Sequence, residues 1–156
     1  MNDKICLIIM GHGSIAQSLI KKCETEQIEY VSWDSFDSKD MNCNLAYVLV
    51  YAVKEFTSMS FATSLDNCQK LQIPLVNTCD WVSCASEEGV FYVKNIVGTT
   101  SVIEYDSSIV VANASMDDFN KINESASVSN ISYPEMIINT ASQLVNMDFS
   151  PKTVHA

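Results

Sequence analysis

At 156 residues and 47% hydrophobic content, the chain has the size and apolar supply of one domain with one buried core. Its nine basic residues are all lysines and stand against 19 acidic ones, a formal net charge of −10, so the side chain best suited to bidentate phosphate contacts is missing. That balance argues against nucleic acid or an anionic membrane surface as partner, whereas a dinucleotide stays admissible because a glycine turn binds phosphates through backbone N–H groups.

Ile5 to Met10 is an apolar run of strand length, and Gly11-His12-Gly13-Ser14-Ile15-Ala16 follows it directly. Ser14 to Glu24 reads as a helix with Ile15, Leu19 and Ile20 on one face and Lys21 and Lys22 toward its negative end. Ile28 to Trp33 is a short second strand and Asp34 stands at its end, 21 residues past Gly13. Strand, G-x-G-x-x-A turn, helix, strand and acid in this order form the dinucleotide-binding pattern. Gly11 permits a tight turn, Gly13 leaves no Cβ in the path of a pyrophosphate, and Ala16 lets the helix lie close to the strand. Asp34 would accept hydrogen bonds from the adenosine ribose and repel a 2′-phosphate, which favours NAD over NADP. The competing reading is a Rossmann-like turn that binds nothing.

Ser35 to Asn44 is too polar to bury and reads as a loop or irregular crossover. Leu45 to Val53, almost continuously apolar, is expected as a central strand buried on both sides. Thr57 to Leu71 follows as a helix with Phe61, Leu65, Cys68 and Leu71 at helical spacing, and Pro74 marks entry to a strand at Leu75 to Thr78. Glu87 to Lys94 is either a helix or a turn at Gly89 followed by an extra strand. Ser108 to Ala112 reads as the fifth strand. Met116 to Ser132 is polar and looks like a surface connection with a helical turn near Phe119. Ser132 offers an N-cap oxygen to a last helix that carries Pro134 and Glu135 in its first turn and an apolar stripe of Met136, Ile137, Thr140, Ala141, Leu144 and Val145. Phe149 to Ala156 reads as a loosely held tail. The expected architecture is α/β, a Rossmann-like doubly wound parallel sheet of about five strands in a single domain spanning 1–156, with a C-terminal helix at 133–147 packed on it.

No apolar stretch approaches the roughly 20 residues of a membrane helix, and no basic segment leads into a long apolar one, so the expectation is a soluble, cytoplasmic protein. Cys6, Cys23, Cys43, Cys68, Cys79 and Cys84 lack any C-x-x-C and read as buried free thiols rather than a metal site. Asn113, Asn123 and Asn130 head N-x-S sequons that mean little without secretion.

Four segments in order resemble dihydrodipicolinate reductase, the lysine-pathway enzyme that reduces a cyclic imine-type dicarboxylate with NAD(P)H. Lys4 to Gly13 resembles its opening strand and glycine turn, and Ile73-Pro74-Leu75-Val76-Asn77-Thr78 is similar to its "P-L-V-x-x-T-T-G" strand and loop. Ile109 to Ser115 resembles its "A-N-x-S" strand end, and Tyr133 to Val145 resembles the helix that returns to the nucleotide domain. The resemblance implies cofactor contacts at Gly11, His12, Gly13, Ser14 and Ile15, at Asp34, at Ala52 and Val53, at Thr78, and at Asn113 and Ser115. Cys79 and Asp80 replace the second threonine and the glycine of "T-T-G", and that extra carboxylate would repel an anionic ligand.

The family's substrate domain has no counterpart here. Only the 17 residues from Met116 to Ser132 fill its place, His12 and His155 are the sole histidines, and the K-x-D-A-P-S-G-T motif is missing. No catalytic residue is assigned and no metal is expected. The reading is an NAD-binding, reductase-like cofactor domain that works with a separate catalytic partner or as a homodimer; its rival is a non-catalytic dinucleotide-sensing or protein-association module.

Several other residues have a chemical and a plain reading. His12 either touches a phosphate or the nicotinamide or is a solvent-facing loop residue. Tyr51 and Lys54 are one residue short of a Y-x-x-x-K pair. Asp117-Asp118 reads as a helix cap before a cation site. Trp33 and Trp81 either stack on adenine or pack at the sheet edge.

Overall fold

A computed structural model describes residues 4–54, 58–79, 90–94, 101–103, 109–116, 119–120 and 131–146. Seven strands form one sheet: β1 (Ile5–Met10), β2 (Glu29–Ser32), β3 (Ala46–Tyr51), β4 (Leu75–Asn77), β5 (Val90–Lys94), β6 (Ser101–Ile103) and β7 (Ile109–Asn113). Among the described residues three helices accompany them, α1 (Ser14–Glu26), α2 (Ser58–Leu71) and α3 (Tyr133–Val145). The spatial order is β2-β1-β3-β4-β7-β5-β6; every neighbouring pair is parallel except β5 with β6. Five of these strands, β2-β1-β3-β4-β7, are the parallel set anticipated from the apolar runs, flanked by helices in a Rossmann-like α/β domain. The sheet continues further than expected: of the two readings of Glu87 to Lys94 the strand at Val90–Lys94 is realised, with β6 beyond it as an antiparallel edge.

The chain enters at β1, passes through α1 to β2 on one side, and then crosses to β3 on the other side of β1. The sheet therefore switches direction between β1 and β3, and a doubly wound sheet opens a crevice outside its carboxyl ends at such a point. Against the 3-2-1-4-5-6 order, the first half is one strand short among the described residues. The connection from β2 to β3 is instead two 3-10 turns, Trp33–Ser35 and Ser38–Asp40, whose first residues are fixed by Ser32 Oγ and Asp37 Oδ1 accepting from the backbone of Asp34 and Lys39.

Burial explains why β3 reads as a continuous apolar run. Val48, Val50 and Ala52 point into a core with Leu7 and Ile9 of β1, with Ala16, Leu19 and Cys23 of α1, and with Met136, Ile137, Ala141 and Leu144 of α3. Leu49 and Tyr51 point to the opposite face, against Ile8 and against Phe61, Leu65 and Cys68 of α2. Residues 48 to 51 are fully shielded, so neither face of the central strand can be polar. At roughly 1.5–3 kcal/mol for each large apolar side chain taken out of water, these two layers supply the main stabilising term.

Local signals set the helix ends. Ser132 Oγ accepts from the Glu135 N–H at 3.3 Å with Pro134 beside it, so α3 starts where its cap predicts. Gly13 is the N-cap of α1 and supplies no side-chain cap, while Gln27 at φ 58 ends the helix in the left-handed conformation. The helix runs two residues past Glu24, so Lys21 and Lys22 lie short of its last turn, and Lys22 pairs with Glu26 at 3.3 Å. Phe119, whose N–H donates to the Ser115 carbonyl at 3.0 Å, lies in the helical turn expected there and rests on the Tyr133 ring.

The five cysteines among the described residues form no disulfide. Cys6, Cys23 and Cys68 are buried as expected, whereas Cys43 is exposed in the polar β2–β3 connection and Cys79 is half-buried. Burial pushes the Cys68 thiol up to about 12. Cys6 rises to about 11 through burial and then the charge of Glu29, and Cys23 to about 11 through burial and then Cys6 and Glu24. Thiols held protonated in this way are packing groups, not nucleophiles. No described helix is long and apolar enough to cross a membrane.

Candidate functional site at the carboxyl ends of the strands

The two glycines of the turn after β1 are there for different physical reasons. Gly11 has φ +128, a conformation L side chains rarely adopt, and a Cβ built on it would lie 2.2 Å from the Ala52 carbonyl oxygen and 3.2 Å from the Val53 nitrogen. Its smallness lets the end of β1 press on the end of β3, where the Ala52 N–H donates to the Met10 carbonyl at 2.9 Å. Ala52 and Val53 thus meet the turn as backbone. Gly13 is in an extended conformation open to any residue, φ −82 and ψ −166, and a Cβ there would meet only Lys54 Cβ, at an ordinary 3.7 Å. No described protein atom requires a glycine at position 13. Gly13 directly precedes the first N–H groups of α1, at Ser14 and Ile15, which have no side-chain cap.

Asp34 reaches this turn from the neighbouring strand. Its backbone N–H donates to Ser32 Oγ at 3.2 Å, which starts the 3-10 turn after β2, and its Oδ2 lies 2.9 Å from His12 Nε2. The two side chains are 77% and 64% exposed, so the pair stands open to solvent and to any ligand in the crevice. An open Gly13, uncapped helix N–H groups and an accessible carboxylate one strand over have the donor and acceptor set that a diphosphate joined to a ribose requires. Lys54 is exposed, and its Cβ lies 3.7 Å from the place a Cβ on Gly13 would take. In the sequence it stands out only as half of a Tyr-Lys pair, and the sole signal for its place is its position three residues past β3. Tyr51 itself is a core residue whose hydroxyl donates to Ser60 Oγ at 2.9 Å and whose ring meets Phe61 edge-on.

The second group of anticipated residues lies two and three strands away. The Thr78 hydroxyl donates to the Tyr51 carbonyl at 3.0 Å and its N–H to the same oxygen at 3.1 Å, so this buried residue ties the end of β4 to β3. Ser115 is buried beyond β7. Asn113 is described in its backbone alone, in register with Asn77. Asn77, which no motif singles out, closes the end of β4: its Nδ2 donates to the Cys79 carbonyl at 2.8 Å and its Oδ1 accepts from the Cys79 N–H at 3.2 Å. Trp33 stacks on Phe36 at 5.8 Å and packs on the α2-side core, the plain reading of that residue. Asp80, Trp81, Cys84, the Asp117-Asp118 pair, Asn123, Asn130, the tail from Phe149 and most of the Met116 to Ser132 connection lie outside the described residues. Among the described residues no cluster of histidine, cysteine and carboxylate side chains could hold a metal ion.

Compared with known proteins, the chain matches no family model, no curated protein and no solved structure.

Proposed function

We propose that this chain binds a dinucleotide, NAD in preference to NADP, with the diphosphate over Gly13 and the amino end of α1 and the adenosine ribose against Asp34. The nicotinamide would extend toward the ends of β4 and β7. The contact between His12 and Asp34 carries the reading, because it makes the turn that would hold phosphate and the acid that would hold ribose border one space. The free volume at Gly13 and the switch between β1 and β3 support it. Bound nicotinamide supplies hydride chemistry, and this chain's residues would bind and orient it; by the resemblance to dihydrodipicolinate reductase, groups that hold substrate and deliver a proton would come from a partner chain or a second copy.

A second reading, a module that senses or retains the dinucleotide without reducing a substrate, is favoured by the ends of β4 and β7. There the Thr78 hydroxyl donates to the Tyr51 carbonyl and Ser115 is buried. Titration of NADH with the purified protein, read by nicotinamide fluorescence, tests the shared claim. The expected result is a saturable rise that Asp34→Ala weakens and Gly13→Val abolishes; absence of binding at millimolar NADH refutes it. Consumption of NADH with the lysine-pathway substrate then separates reductase from sensor, and none is expected from this chain alone.

A further inference from the structure

We infer that His12 sets how strictly the site distinguishes a 2′-hydroxyl from a 2′-phosphate on the adenosine ribose, an inference that rests on the dinucleotide reading above. A free carboxylate at the end of the second strand excludes a 2′-phosphate by charge alone. Here Oδ2 of that carboxylate lies 2.9 Å from an imidazole nitrogen on the glycine turn, at which distance an N–H donates to it. The donor occupies one oxygen and offsets part of the negative field, leaving Oδ1 to accept from the ribose hydroxyls.

His12 therefore softens the exclusion that Asp34 creates. The turn after β2 brings Asp34, the segment after β3 brings Lys54 beside Gly13, and the first turn of α1 brings no acid. Ser32 Oγ fixes the Asp34 backbone from below, so position 34 stays at the turn when either side chain is changed. If the acid is made neutral, the same imidazole donor is released toward the place where a 2′-phosphate must sit.

The test is a matrix of dissociation constants for NADH and NADPH, measured by fluorescence titration at pH 8 and low salt on the full chain. The parent should bind NADH more tightly. His12→Ala should widen the preference about fivefold, mainly by weakening NADPH, about the worth of one hydrogen bond. His12→Gln, which keeps an amide donor, should return the preference to within about twofold of the parent. Asp34→Asn should bring the preference to unity or reverse it, and adding His12→Ala to that variant should weaken NADPH again by a similar factor. NADH binding with a preference that His12→Ala leaves unchanged overturns the role of His12 while leaving the dinucleotide reading intact. Failure of the parent to bind either nucleotide overturns both.

Discussion

Placing one methyl group on each glycine of the turn should give opposite results. For Gly11→Ala the new Cβ lies 2.2 Å from the Ala52 carbonyl oxygen and 2.7 Å from its carbon, both backbone atoms that no rotamer change can move. A tolerable contact needs about 1 Å more, so the ends of β1 and β3 must separate and strain the bond from the Ala52 N–H to the Met10 carbonyl. A positive φ on a residue with a side chain costs about 1–2 kcal/mol, the overpacking about 1–3, and the weakened hydrogen bond about 1. Together these come to about 3–6 kcal/mol, a large part of the roughly 5–15 kcal/mol that holds a domain together. Gly13→Ser meets only Lys54 Cβ at 3.7 Å, and its hydroxyl can cap α1, so stability should hold or rise by about 0.5 kcal/mol. NADH binding should fall at least tenfold in that variant because the new side chain takes the space proposed for the diphosphate. Urea unfolding followed by far-UV circular dichroism, with NADH titration on the folded variants, measures both. Gly11→Ala within 1 kcal/mol of the parent would refute the packing argument, and Gly13→Ser with parental NADH affinity would refute the reason given for that glycine.

Three further outcomes follow from the geometry. Ser132→Ala removes the oxygen that accepts from the Glu135 N–H and should cost about 1 kcal/mol in urea, whereas Ser132→Asp should retain the cap. Thr78→Val removes a buried hydroxyl that donates to the Tyr51 carbonyl; the Thr78 N–H still satisfies that oxygen, so the loss should be about 1 kcal/mol and not several. Because Cys6, Cys23 and Cys68 keep their protons up to about 11, 11 and 12 when folded, the unfolded chain loses protons first as pH passes 9. Stability should therefore be unaffected by these thiols below pH 9 and should decline from there toward pH 11–12, and Cys68→Ala should flatten that slope by up to ~1.4 kcal/mol per pH unit.

The parallel core was legible in the sequence because residues 48 to 51 are apolar on both faces and the helices carry apolar stripes at helical spacing. The α3 start was legible for a local reason, a serine oxygen three residues before the N–H it caps. Sheet order was not legible, since nothing in the polar stretch after β2 says that the chain crosses β1 before forming β3. The strand at Ser101–Ile103 was missed because three residues at an edge acquire their conformation from the neighbour they pair with, here β5. At the site, spacing placed Gly13 and Asp34 in order along the chain, but that His12 touches Asp34, that Lys54 flanks Gly13 and that Thr78 faces Tyr51 are tertiary facts. Spacing likewise gave both glycines a ligand-related role, whereas the requirement at Gly11 comes from the Ala52 backbone.

Amide chemical-shift mapping during an NADH titration reads the position of the ligand residue by residue. If the dinucleotide lies over the glycine turn, saturable shifts concentrate at Gly11 to Ala16, at Asp34 and Ser35, and at Ala52 to Lys54, with the amino ends of the strands near Lys4 and Gln27 left still. Shifts centred on those amino ends, or a spectrum unmoved at millimolar NADH, would contradict it.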